Sequence, residues 1–304
     1  MSNKVFVLAP KEDWICDRFV SEWIEQNSDI TVSNPEEADV IWLLADWCAG
    51  HLPQELLSRK KVLASVHHIY EPKFDNTFYL GLDSIVNVWH TPAKSTAEFM
   101  RMNVTSKPIF TKPFWVNGNI WNTMDKIDAR KKLGLPEKAF IVGSFQRDTE
   151  GSDLISPKLE KGPDFLCDTI EKLATIHKDI FVILGGWRRQ YVMKRLNAAG
   201  IYYDMFDRPE LSKVNAMYNA LDLYVVSARC EGGPQAIVEC AVTETPIVSY
   251  DVGIAKDILA PESILPVGSD LTTASPNVAF ARKAVQKYLM PNGMDEFRKI
   301  ILEM

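Results

Sequence analysis

Residues 222–259 read DLYVVSARCEGGPQAIVECAVTETPIVSYDVGIAKDIL, and the fold is decided here. An apolar run at Leu223 to Val226 ends in Ser227, Ala228 and Arg229. Glu231, Gly232, Gly233 and Pro234 then make a turn, Gln235 to Val242 reads as a helix, and Pro246 to Tyr250 reads as a second buried strand. Strand, turn, helix and strand together are a βαβ unit. Pro234 suits the first helical position, where its missing N–H costs no hydrogen bond, and the two glycines let a ligand approach the backbone closely. Such a helix start attracts anions, because its unpaired N–H groups and the helix dipole point the same way. Glu231 lies in the turn and Glu239 inside the helix, so one carboxylate can reach a ligand at the helix mouth and the other from about a turn deeper. Two acceptors facing one ligand suit a polyhydroxylated molecule such as a sugar.

Upstream, the same alternation repeats. From Val5 the pattern is strand (VFVLA), amphipathic helix (Trp14 to Gln26), short strand (Ile30 to Ser33) and a strong buried strand at Val40 to Ala45. A short helix near Leu52 to Ser58, the strand KVLASVHH, the strand Ser84 to His90 and a helix from Ser95 to about Met102 follow. Strands alternating with helices at this spacing predict parallel sheets covered on both faces, with ligands at the carboxyl ends of the strands, here Pro10, Asp46, His67 and His90. Pro108 to Trp121, with two prolines, an Asn-Gly pair and several aromatics, marks a boundary whose aromatics are expected between two lobes. A second α/β unit follows it: a helix Asp128 to Leu133 stopped by Gly134, the strand AFIVGSF, a long polar loop, a helix Phe165 to His177, the strand DIFVILGG and a basic helix beginning at Trp187-Arg188-Arg189. The tail predicts a helix from about Ala279 to Leu289, a break at Met290 to Gly293, and a last helix. The expected domains are 1–112, a linker at 113–122, 123–288, and a terminal helix at 289–304.

Composition narrows the class. The chain has 304 residues, 46% hydrophobic and 24% charged, which is an ordinary globular balance with room for two domains. A net charge of −6 argues against nucleic-acid binding as a general activity. No run approaches the roughly 20 apolar residues of a membrane span, and the opening run is too short for a signal peptide, so a cytoplasmic protein is expected, with peripheral membrane contact still compatible. The five cysteines are odd in number and lack CxxC spacing, so neither a disulfide framework nor a zinc site is expected. His68 and Glu71 have no third ligand at metal-binding spacing.

With its parts in this order, the sequence resembles the retaining glycosyltransferases of family 4, which have the GT-B fold of two facing Rossmann-like lobes. Glu231-x7-Glu239 is similar to the family's E-x7-E motif in its usual surroundings. VGSFQR followed by EKGPDFL is similar to its strand-end arginine and its Lys-Gly pair, which implies diphosphate-binding roles for Arg147 and for Lys161. The insertion between these two leaves Lys158 as the alternative phosphate lysine. WVNGNIW resembles the hinge, and VHHIYEPKF resembles the strand end that carries a donor-binding histidine, at His67. The broken C-terminal helix resembles the one that crosses back to the first lobe.

The resemblance implies transfer of a sugar from a nucleoside-diphosphate sugar, with retention and without a metal or other cofactor, to a glycan, lipid-linked or small-molecule acceptor. Arg147, Lys161, Glu231 and His67 are the implied catalytic residues. Gly232, Gly233, Pro234, Glu239 and Lys158 are the implied donor-binding ones. Glu231 would accept hydrogen bonds from the donor sugar and Glu239 from the ribose. Two other readings stand beside this one: a sugar-nucleotide epimerase of related fold, and a non-catalytic protein that binds a nucleotide sugar or a partner.

Overall fold

The computed structural model describes residues 3–12 and 15–304, and the chain divides into two compact units. One takes in the chain up to Trp115 together with Tyr288–Met304, and the other is Val116–Lys287.

The first unit runs β1 (Val5–Leu8), α1 (Ile15–Asn27), β2 (Val40–Leu43), α2 (Gln54–Arg59), β3 (Lys61–Ser65), α3 (Asn76–Asp83), β4 (Val88–Thr91), α4 (Lys94–Asn103) and β5 (Ile109–Thr111). The expected start of α1 at Trp14 lies outside the described residues. All five strands are parallel, in the order β1-β2-β3-β4-β5. The expected strand at Ile30 to Ser33 is reduced to one parallel bridge, Val5 to Thr31, with Val5 N donating to Ile30 O at 2.8 Å and Val32 N to Val5 O at 2.9 Å. That bridge lies on the side of β1 away from β2. The chain therefore steps one way from β1 and then crosses to the other side, which makes the β1/β2 edge the topological switch point of this sheet.

β5 lies at the start of the Pro108 to Trp121 boundary stretch, and Phe114 and Trp115 after it sit in the core of this unit, a correction to the expectation that the aromatics of that stretch lie between lobes; Trp121 packs on Tyr218 in the second unit. Phe114 stacks on Phe19 with centroids 4.4 Å apart, and Trp115 donates through Nε1 to Glu22 at 2.8 Å. Large flat side chains bury much apolar area each, which explains why the core draws them in. The last helix of the chain (Asp295–Glu303) belongs to this core as well: its Phe297 stacks on Trp42 at 5.5 Å and on Phe114 at 5.7 Å. Arg298 holds Asp29 bidentately at 2.6 and 2.9 Å, seating the helix from outside.

The second unit runs α5 (Lys126–Leu133), β6 (Phe140–Phe145), α6 (Pro163–Ile176), β7 (Ile180–Gly186), α7 (Gln190–Ala199), β8 (Tyr202–Asp207), α8 (Leu211–Ala220), β9 (Leu223–Val226), α9 (Gln235–Thr243), β10 (Ile247–Tyr250), α10 (Ala255–Ile258), β11 (Ile264–Leu265) and α11 (Val278–Val285), which leaves the final helix as α12. Gly134 closes α5 in the left-handed conformation at φ +71°, where glycine carries no Cβ penalty. The sheet is parallel throughout, in the order β11-β10-β9-β6-β7-β8. Successive strands run outward from β6 on one side and return to its other side at β9. The switch point of this sheet is therefore the β6/β9 edge, and both strands read as continuous apolar runs because both faces are covered.

Candidate functional site

The loops leaving β6 and β9 meet at that switch point, and they carry most of the residues singled out from sequence. After β6 come Gln146 and Arg147; after β9 come Ser227 to Pro234. Between β6 and α6 the long loop returns through a short 3-10 turn, Leu159–Lys161, and brings Lys161 and Gly162 against the end of β9. Gly162 has φ +61°, and a Cβ there would stand 1.8 Å from the carbonyl oxygen of Ser227. Only glycine fits, since both the backbone conformation and the space exclude a side chain. Pro163 then opens α6, as proline does at a first turn.

This docking pairs Lys161 Nζ with Glu231 Oε1 across seventy positions of sequence. Both side chains are mostly buried, at 17% and 15% exposure. The contact is held from three directions. Arg229 N and Cys230 N donate to Glu160 O at 2.9 and 3.2 Å. The Arg229 guanidinium grips Asp164 with a two-pronged pair at 2.7 and 2.5 Å, donates to Leu159 O at 2.9 Å, and lies 3.7 Å from the centroid of Phe165. Burial pushes the Asp164 carboxyl up, but the Arg229 hydrogen bonds hold it below its ordinary value. Gln146 Nε2 donates to Lys161 O at 2.9 Å. Behind the loop, Gly253 has φ +55°, and a Cβ there would meet Gly232 O at 2.2 Å. Sequence reasoning passed over Arg229, Asp164, Gln146 and Gly253; a glycine three residues past the end of β10 was the one signal available for the last.

Three cations gather around this turn. Lys158 pairs with Glu160 at 3.2 Å. Burial pushes its ammonium down, Glu160 opposes that, and the charges of Lys161 and Arg147 add to it. Arg147 is anchored by Nε on Thr149 O at 2.8 Å, with its guanidinium 5.4 Å from the centroid of Trp187. Like charges held together in partial burial are costly without an anion, so the arrangement suits a polyanionic ligand. α9 starts at Gln235 with Pro234 as the residue before it, one position off the sequence expectation, so the helix N-terminus opens beside Glu231, Gly232 and Gly233.

Glu239 lies deeper than an ordinary helix-surface carboxylate. It is buried in α9 and accepts from the Tyr218 hydroxyl at 2.8 Å, which fixes one of its oxygens. Arg189 is a correction. Expected at the start of a basic helix, it instead precedes α7 and is fully buried, donating to Asp148 at 2.9 Å and to Gly185 O at 3.0 Å, with a further bond to Ser144 O. Its charge is spent inside the fold, where it ties the carboxyl ends of β6 and β7 to the residue next to Arg147. Burial pushes the Asp148 carboxyl up despite this partner.

His67 belongs to the first unit, just beyond β3. Its Nε2 donates to Leu44 O at 2.8 Å, and its ring stacks on Phe114 at 5.3 Å. That nitrogen does what a strand-end histidine does when it satisfies a backbone group. Among the described residues, no three His, Cys, Asp or Glu side chains form a metal-ligand set, and no helix is long and apolar enough to cross a membrane.

Two parallel-sheet Rossmann-like lobes define the GT-B class of glycosyltransferase architecture, and solved structures of that class match the chain. A crystal structure of Anabaena Alr3699/HepE in complex with UDP and glucose aligns over all of both chains with a TM-score of 0.79 at 14% identity. Sucrose-phosphate synthase from Thermosynechococcus elongatus aligns with 98% of this chain and 81% of its own, at a TM-score of 0.70 and 15% identity. The chain belongs to the glycosyl transferases group 1 family, whose model matches residues 125–290. By sequence it is also 28% identical over 142 residues to the lipopolysaccharide core biosynthesis mannosyltransferase LpsB of Rhizobium meliloti (strain 1021), a match covering 44% of this chain and 38% of that protein's length.

Proposed function

We propose that the protein is a metal-independent retaining glycosyltransferase that moves a sugar from a nucleoside-diphosphate sugar to a hydroxyl acceptor, working in the cytoplasm where such donors are made. The observation that carries this reading is the Lys161–Glu231 pair, set with Arg147 and Lys158 beside the α9 N-terminus at the switch point of the second sheet. A sugar–phosphate bond breaks more easily when the charge growing on the leaving diphosphate meets preorganised cations and N–H dipoles. Arg147, Lys161 and the Gly232 and Gly233 amides are assigned that work, with Lys158 adding charge. Arginine offers a fork and lysine a point charge, so exchanging them is not conservative.

Glu231 is assigned to the donor sugar hydroxyls, releasing Lys161 to the phosphate as it turns to them. Glu239, with Oε2 held by Tyr218, is assigned to the ribose. The resemblance to the family 4 enzymes supports a front-face route in which the departing phosphate takes the acceptor proton, unlike the two-carboxylate scheme of glycosidases.

The test is thermal stabilisation by UDP, GDP, ADP, TDP and their sugars. HepE was crystallised with UDP and UDP-glucose, so the uridine donors come first. A ligand at a hundred times its dissociation constant adds about 2.7 kcal/mol. No shift with any of them refutes the donor site. Turnover of donor without acceptor to an epimeric sugar nucleotide would favour an epimerase, and an inverted anomeric centre in the product would refute retention.

A further inference from the structure

The second unit sets a tyrosine hydroxyl against a carboxylate in the middle of a helix, away from water. Glu239 is 6% exposed, and every residue of α9 from Ile237 to Thr243 is buried. A carboxylate in such a place is costly unless donors meet it. Tyr218, in the last turn of α8 and 2% exposed, donates to its Oε2 at 2.8 Å. Burial, with the Glu239 charge adding to it, pushes that hydroxyl well above the ordinary tyrosine range, so it stays a donor at neutral pH.

That donor is held in place. Its ring is boxed by Phe145, Tyr224 and Trp121, with centroids at 4.9, 5.5 and 5.7 Å. Tyr224 is fixed in turn, because its hydroxyl accepts from Phe145 N at 2.9 Å at the end of β6. The backbones of α8 and α9 are joined separately: Thr245 Oγ1 donates to Tyr218 O at 3.0 Å and stands 2.8 Å from the hydroxyl of Thr243, one turn beyond Glu239. The two helices therefore do not depend on the tyrosine hydroxyl to stay together. What the hydroxyl adds is the orientation of the Glu239 carboxylate.

A glutamate side chain left to rotate must be ordered when its ligand arrives, which weakens binding. A carboxylate plane already set by a buried donor matches a pair of hydroxyls at fixed spacing, and each of its oxygens can accept more than one hydrogen bond. The cis 2′- and 3′-hydroxyls of a ribose are such a pair, whereas a deoxyribose offers one. We propose that Tyr218 is a positioning residue for ribose recognition, its hydroxyl fixing the Glu239 carboxylate to accept from both hydroxyls of the donor nucleotide's ribose. This rests on the donor-site reading and deepens it, since it makes the site selective for ribonucleoside over deoxyribonucleoside diphosphates. A hydroxyl that did no more than satisfy a buried carboxylate would carry no such selectivity.

The test is calorimetric titration of the full chain with UDP, 2′-deoxy-UDP and 3′-deoxy-UDP, repeated with the guanosine and adenosine sets. The wild type should prefer the ribonucleotide that binds best over its deoxy forms by about tenfold or more. In Tyr218→Phe, which keeps the ring and its packing, this ratio should fall to about threefold or less, and in Glu239→Gln likewise. The double variant should fall no further than Glu239→Gln, because the hydroxyl acts through Glu239. A folded Tyr218→Phe that binds more weakly but keeps the wild-type ratio overturns the inference, as does a double variant in which the two losses add. The wild type also tests it without any substitution. Equal affinity for ribo and deoxy forms, or a strongest response to TDP in its deoxyribose form, overturns the role of Tyr218 and leaves the donor site standing. If no nucleoside diphosphate binds, the donor reading falls with it.

Discussion

Replacing Glu231 with glutamine should tighten the binding of a bare nucleoside diphosphate while slowing sugar transfer. In the ligand-free protein, Lys161 is neutralised by Glu231, and both side chains are largely withdrawn from water. A diphosphate arriving at Lys161 meets that carboxylate as a second anion. Two unit charges about 7 Å apart at an effective dielectric of about 20 repel by about 2.4 kcal/mol. Water and salt at the mouth of the site reduce this to about 1 kcal/mol, or roughly a fivefold tighter Kd for UDP. The same substitution leaves Lys161 without its charged partner, so the ligand-free protein should melt earlier and gain more from UDP.

Transfer should nevertheless slow by about tenfold or more, because glutamine is a weaker acceptor than carboxylate for the sugar hydroxyls. Lys161→Met provides the opposite sign, weakening UDP. Calorimetric titration of UDP into wild type and both variants reads these effects, and raising the salt should shrink the gain in Glu231→Gln. Equal or weaker UDP binding by that variant would refute the idea that the carboxylate and the diphosphate compete for one lysine.

Three further outcomes follow from the geometry. Gly162→Ala should cost at least about 2 kcal/mol in urea unfolding and lower UDP affinity, because the added Cβ would overlap Ser227 O in a backbone conformation that alanine avoids; unchanged stability would contradict the docking of this turn on β9. Burial raises the Asp46 carboxyl from its ordinary 3.8 to about 6. The folded state then binds the extra proton between these values, so this group's contribution favours the folded protein at pH 4 and is lost as pH rises through 6, by roughly 3 kcal/mol in all. Unfolding measured from pH 4 to 7 should show that slope in the wild type relative to Asp46→Asn, and a difference independent of pH would refute it. Arg189→Met should destabilise by about 3–5 kcal/mol by leaving Asp148 buried and unpaired, and adding Asp148→Leu should restore much of the loss; denaturant unfolding of the single and double variants checks the coupling.

The repeating units of both sheets were legible in the chain because strand and helix periodicity are local properties, written within ten or so residues. EGGPQAIVE announced a helix start after a buried strand, and Gly134 announced the end of α5, since turn and cap chemistry is also local. The segment from Ile30 to Ser33 shows the limit: its residues favour a strand, but its position beside β1 leaves it a single bridge. Arg189 shows another, because its surface-like sequence context says nothing of the Asp148 carboxylate and the strand-end carbonyls that enclose it. The order of strands in a sheet depends on which side each crossover takes, and that is settled by packing between segments far apart in sequence. For the same reason the sequence could name Glu231 and Lys161 as separate candidates. Their meeting depended on β6 and β9 becoming neighbours, on Gly162 leaving room against Ser227, and on Arg229 gripping Asp164, contacts that exist only once the sheet has formed.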